Sequence, residues 1–157
     1  RFDGLAPRDL TPSEKAAVTE LALQILKGRV RAGRQFKCPG DVRSYLSLKL
    51  AGYRHEVFGM ILLDTRHRII ELVELFTGTI DGSAVYPRTV AQRVLERNAA
   101  GVVLFHNHPS GVGEPSRADE HITRKLIETL SLIDVEVVDH FVIAAEGSIS
   151  LKERGLI

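Results

Sequence analysis

A single cysteine, Cys38, among 157 residues rules out an internal disulfide and a thiolate-rich metal site. Long apolar runs are also missing. The longest, such as Val57 to Leu63, fall far short of the ~20 residues that span a bilayer. The opening residues Arg1-Phe2-Asp3-Gly4 carry no signal-peptide pattern and no initiator Met. The sequence is therefore expected to be part of a longer chain, in a soluble protein of the reducing cytoplasm. An excess of one charge is lacking too: the formal net charge is +1, with 44% hydrophobic and 26% charged residues. That balance excludes disorder, which needs few apolar residues and a large net charge. A length near 150 suggests one compact domain burying about two thirds of its unfolded surface.

The near-zero net charge hides an asymmetry. Residues 1–55 hold 11 basic and 5 acidic side chains, whereas residues 56–157 hold 10 basic and 15 acidic. The basic excess peaks between Lys27 and Lys37, a stretch without any acid. Such a segment can contact phosphates, as in DNA. It can equally be a solvated helix end, where cations meet the negative end of the dipole. The scarcity of aromatic residues nearby favours the helix end.

Periodicity gives an element order ααββαβαβ, hence an α/β layered domain. Thr11-Pro12-Ser13-Glu14 caps a first helix whose stripe is Val18, Leu21, Leu23, Ile25 and Leu26, ended by Gly28 or Gly33. Asp41 caps a second helix through Leu50, with Val42, Tyr45, Leu46 and Leu50 on one side. Val57 to Leu63 reads as a buried strand, Asp64 to His67 as a hairpin loop, and Arg68 to Phe76 as a second strand. Turns follow at Thr77-Gly78-Thr79 and Asp81-Gly82-Ser83. Pro87 opens a helix with Val90, Ala91, Val94 and Leu95 as its stripe. Val102 to Phe105 is a third strand. Ser116 opens a helix buried through Ile122, Leu126, Leu130 and Ile133, Val135 to Ile143 forms another strand, and Ser148 to Leu151 adds a short one.

Chemistry concentrates where the third strand ends. His106 and His108 are two apart, so the period of a strand puts both imidazoles on one face, and Pro109 stops the strand beyond them. A Gly-containing loop leads to Ser116, and Asp119 stands one turn inside the helix that follows. Two neutral imidazoles and a carboxylate suit zinc with a fourth tetrahedral position left open, as in catalytic sites. Ser116-x-x-Asp119 also fits a capping box, in which the carboxylate serves only the helix terminus, so cap and ligand compete for one side chain. Glu56, at the head of an otherwise apolar strand, either lies at the surface edge or faces the metal as general base. The Ser116 hydroxyl either caps its helix or donates to a developing oxyanion.

These residues resemble a known family. His106-x-His108-Pro109, Ser116-x-x-Asp119 and an upstream Glu56 match the JAMM motif of MPN metallopeptidase-like proteins. The fuller string His106-Asn107-His108-Pro109-Ser110-Gly111 resembles the RadC branch, as do Thr77-Gly78-Thr79, Pro87-Arg88 and Asp139-His140. The sequence departs from that branch at Tyr86 and Thr89, where His and Glu are usual. The resemblance covers residues 36–157, leaving residues 1–35 as an N-terminal helical segment. No hairpin of the helix-hairpin-helix kind that many family members carry is visible in that segment.

The resemblance implies an MPN (JAB/JAMM) fold, a curved mixed β-sheet flanked by helices. It implies one Zn2+ per chain on His106, His108 and Asp119, with Glu56 as general base and Ser116 as oxyanion donor. The expected activity is hydrolysis of a peptide or isopeptide bond in a peptide or protein substrate. The alternative is a DNA-associated protein whose MPN domain is a binding scaffold. An HNH nuclease is set aside because its three letters come from separated residues, and a zinc deaminase because it needs thiolate ligands. His55, His67, His121 and His140 are not expected to be ligands. Oligomeric state is not readable.

Overall fold

The computed structural model describes residues 3–78 and 85–157. The expected turn at Asp81-Gly82-Ser83 lies outside the described residues, as does Thr79. After a 3-10 turn at Pro7–Asp9, the elements are α1 (Pro12–Arg29), α2 (Pro39–Leu50), β1 (Val57–Leu63), β2 (Ile69–Thr77) and α3 (Pro87–Glu96). They continue with β3 (Gly101–His108), α4 (Arg117–Ser131), β4 (Glu136–Ala144) and β5 (Gly147–Ser150). The strands form one mixed sheet in the order β2-β1-β3-β4-β5. Among the described strands only β3 and β4 pair in parallel, and that geometry needs a long crossover, which α4 supplies.

The sheet is covered on both faces, which explains why β1 reads as an unbroken apolar run: all seven of its residues are buried. Ile61, Leu63, Val103, Phe105, Phe141 and Ile143 pack with Val42, Tyr45, Leu46 and Leu50 of α2. Phe58, Met60, Leu62, Val102 and Leu104 pack on the other side, with Val90 and Val94 of α3 and Leu126 and Leu130 of α4. Gly59 allows close approach inside the sheet, since a Cβ there would collide with the Phe105 ring and lie 2.5 Å from the Val73 carbonyl oxygen. The β1–β2 hairpin closes through Asp64, whose carboxylate accepts from the Arg66 and Arg68 backbone N–H groups, with His67 at φ 55°.

Three helix expectations need correction. The apolar stripe of α1 splits: Leu23 and Leu26 pack against the α2-side core, whereas Val18, Leu21 and Ile25 are about half exposed. This helix makes its main contact with α2. Asp41 does not cap α2, which starts two residues earlier at Pro39; in the first turn its carboxylate accepts from Arg29 at 3.2 Å. In α3, Val90 and Val94 are buried but Leu95 is exposed.

Candidate metal centre

Strand β3 carries His106 and His108 on the face covered by α4, at the end of the strand where the chain must leave the sheet. A turn follows, with Gly111 at φ 89° donating its N–H to the His108 carbonyl. The chain then enters α4 through a complete capping box. Ser116 Oγ accepts from Asp119 N at 3.1 Å, and Asp119 Oδ2 accepts from Ser116 N at 2.7 Å. The parallel crossover thus brings the first turn of α4 over the C-terminal end of β3, the place where open α/β sheets bind ligands.

The three side chains converge there. His106 Nε2 lies 2.9 Å from His108 Nε2 and 3.2 Å from Asp119 Oδ1, and His108 Nε2 lies 3.3 Å from Asp119 Oδ2. They form a group able to hold a metal ion. Of the cap and ligand roles expected to compete for Asp119, the cap is formed, and the same carboxylate also faces both histidines, with Oδ2 toward Ser116 and His108 and Oδ1 toward His106. His106 and Asp119 are buried, while the His108 side chain keeps 13% of its surface exposed, so a ligand reaches the cluster from that side.

The donor chemistry fits a cation. Metal–ligand bonds of 2.0–2.2 Å in a tetrahedron put neighbouring donor atoms about 3.4 Å apart, close to the separations seen here. His108 Nδ1 donates to the Val112 carbonyl at 2.9 Å, leaving Nε2 to face the cluster. The Asp119 hydrogen bond raises the His108 pKa against the effect of burial, helped by the Val112 carbonyl and by the charges of Asp119 and Glu56. Burial pushes the Asp119 carboxyl up. Its contacts with the His106 and His108 imidazoles and with the Ser116 N–H outweigh that effect and hold it far below the usual carboxylate range.

Glu56 is half-buried and directly precedes β1. In the antiparallel β1–β3 register Phe58 faces His106, so the same register continued by two residues sets Glu56 opposite His108. Its main chain is held from both sides. Asn107, between the two histidines, points to the other face of β3, where its Oδ1 accepts from Val57 N at 2.7 Å and its Nδ2 donates to the His55 carbonyl at 3.1 Å. Gly78 N donates to the Glu56 carbonyl at 2.8 Å.

Sequence reasoning did not single out Asn107 or Thr123, and it gave His140 only a packing or hydrogen-bonding role, which its contacts with His106 and Thr123 bear out. Asn107 is hidden by its neighbours, although a polar residue inside a strand buried on both faces is itself a signal. Thr123 lies one turn after Asp119 on the buried side of α4, and His140 belongs to β4, paired with β3. His140 is fully buried, and burial pushes its imidazole well below the usual histidine range. The remaining histidines stay outside the cluster. His55 stacks on Tyr53 with ring centroids 5.4 Å apart, and His67 and His121 are exposed.

Of the basic stretch, Lys27 and Arg29 occupy the last turn of α1, whereas Arg31, Arg34 and Lys37 lie in the connector between α1 and α2. Among the described residues no helix is long and apolar enough to cross a membrane.

Comparisons with known proteins identify the family. Residues 36–156 match the family model of the RadC-like JAB domain. A UPF0758 protein of Marinobacter nauticus is 51% identical over 141 residues, covering 90% of this chain and 63% of the relative. One from Methylibium petroleiphilum is 50% identical over 145 residues, 92% of this chain and 65% of the relative. One from Nitrosomonas eutropha is 48% identical over all 157 residues and 69% of its own length. The chain therefore spans about two thirds of the length of the relatives it matches. Cluster, sheet and comparisons lead to one assignment: this chain belongs to the RadC-like JAB domain family.

Proposed function

We propose that the chain is a zinc-dependent hydrolase of the JAMM type, which cleaves a peptide or isopeptide bond. The observation that carries this reading is the convergence of His106 Nε2, His108 Nε2 and the Asp119 carboxylate within 2.9–3.3 Å of one another, reachable from the His108 side. Membership of a family that includes hydrolases supports it. His106, His108 and Asp119 would hold the ion. Zinc rather than a hard cation suits a donor set with two imidazoles and one carboxylate. When bound, zinc supplies Lewis-acid polarisation of a carbonyl and acidifies water.

The chain's own residues do the rest. Glu56, set opposite His108 at the open side, takes a proton from the attacking water and returns it to the leaving amine nitrogen. Ser116 Oγ accepts from Asp119 N, which leaves its own hydrogen to donate to the oxyanion that develops on the substrate carbonyl. The Asn107 clamp on either side of Glu56 limits how far that carboxylate can drift from the histidines.

A comparison of peptide libraries incubated with zinc-loaded wild type and with E56Q tests the reading. Cleavage products generated by wild type, and lost at least about 100-fold in E56Q that still retains zinc, are the expected result. Equal cleavage by the two proteins would remove Glu56 from the mechanism. No cleavage of any peptide or isopeptide by the zinc-loaded wild type would overturn the assignment.

A further inference from the structure

A chain of hydrogen bonds behind His106 starts from an atom whose role is fixed. The Asp119 backbone carbonyl can only accept, so Thr123 Oγ1, 2.5 Å away, gives it its single hydrogen. Thr123 Oγ1 must then accept on its other side, where His140 Nδ1 lies at 2.7 Å. His140 therefore carries its hydrogen on Nδ1. A neutral imidazole has only one, so His140 Nε2 is an acceptor. Facing it at 2.8 Å is His106 Nδ1, which must donate. What remains on His106 is the Nε2 lone pair, directed at His108 Nε2 and Asp119 Oδ1.

We propose that His140 and Thr123 are positioning residues that lock His106 into the Nδ1–H tautomer and so present its Nε2 lone pair to a metal ion. This rests on the reading of His106, His108 and Asp119 as a metal-holding group. The opposite tautomer would point an N–H into the cluster and block the ion. His106, Thr123 and His140 each have a relative exposure of 0%, so bulk water is not at hand to satisfy the same atoms. His108, at the open side, is oriented by a carbonyl in the usual way. His106, at the closed side, is oriented by a neutral imidazole instead, which leaves it no added negative charge. The chain of bonds begins at the Asp119 main chain and ends at the ring facing the Asp119 carboxylate. The helix-borne donor and the strand-borne donor are therefore set by the same turn of α4.

The test uses the 15N-labelled chain at about pH 8, where unperturbed histidines are neutral. Long-range 1H–15N correlation reads the tautomers of His106 and His140 in the metal-free protein, and chelator competition reads Zn2+ affinity. The lock predicts Nδ1–H for both rings in wild type. H140Q, which keeps an acceptor oxygen near the lost Nε2, stays within a few-fold of wild-type Zn2+ affinity. H140L loses about 10–100-fold, and T123V loses less in the same direction. Both convert part of His106 to the Nε2–H form. If H140L does not fold, T123V, which exchanges only a hydroxyl for a methyl, still decides.

An Nε2–H His106 in wild type overturns the lock, as does wild-type Zn2+ affinity in H140L and T123V, or equal losses in H140Q and H140L. Zn2+ binding with His106 in the wrong tautomer sinks the lock alone. The correct tautomer without any Zn2+ binding sinks the metal reading and leaves the lock without a ligand to serve.

Discussion

The two faces of β3 receive the same burial and use it differently. On the side of α2, Val103 and Phe105 meet Leu46, Tyr45 and Phe141, and burial there is a matter of shape and apolar area. On the side of α4, Val102 and Leu104 pack in the same manner. The next position along that face, His106, instead opens a buried polar run with Asp119, Thr123 and His140. Buried polar groups are tolerated when each finds a partner, and among the described residues no fully buried side-chain nitrogen or oxygen lacks one. Val103 and Phe105 can therefore be exchanged for volume alone, whereas His106 is fixed by donors and acceptors.

The largest effect that sharpens this contrast is on metal binding. D119A and H106A should each lower Zn2+ affinity by at least about 1000-fold, measured by chelator competition, because each removes one of three protein donors. F105A, on the opposite face, should cost about 3–5 kcal/mol of stability in denaturant unfolding while the folded fraction binds Zn2+ normally. Loss of Zn2+ binding in folded F105A would break the separation of the two faces. G59A tests the close packing from the backbone side, and about 1–3 kcal/mol of destabilisation is expected from the collision with Phe105 and the Val73 carbonyl.

N107L joins the two faces, since Asn107 sits on the apolar side yet holds the main chain on both sides of Glu56. Leaving Val57 N without its acceptor should cost about 1–3 kcal/mol. Zn2+ affinity should stay within a few-fold of wild type, and any hydrolytic kcat should fall further than KM rises. A drop in Zn2+ affinity as large as that of D119A would place Asn107 among the metal-holding residues instead.

The smallest effect is one of pH. The His108 pKa is raised in the folded protein, so its contribution to the stability of the metal-free form is present below the usual histidine range. That contribution is lost as pH rises through the raised value. Zn2+ must displace that proton, so metal affinity should climb over the same window, with thermal shift against pH as the readout. A flat profile would contradict the raised value.

Much of the fold was legible because periodicity and burial coincide. The α2 face Val42, Tyr45, Leu46 and Leu50 and the fully buried β1 follow from the residues alone. The convergence of His106, His108 and Asp119 was legible for a different reason, since strand period, a terminating Pro and a helix cap fix their relation over a short stretch. Local pattern fails where partners are distant in sequence. The exposure of Val18, Leu21 and Ile25 depends on what α1 packs against, which no stripe reveals. Asp41 looked like a cap, yet its carboxylate meets Arg29. His140 and Thr123 meet His106 only because β4 pairs in parallel with β3 and α4 crosses above both.

Elemental analysis of the purified chain, prepared without chelators, tests the central claim most directly. The account predicts about one zinc per chain in wild type and in E56Q, and essentially none in H106A or D119A. Folded wild-type protein that carries no divalent ion and takes up none from added Zn2+ would contradict it.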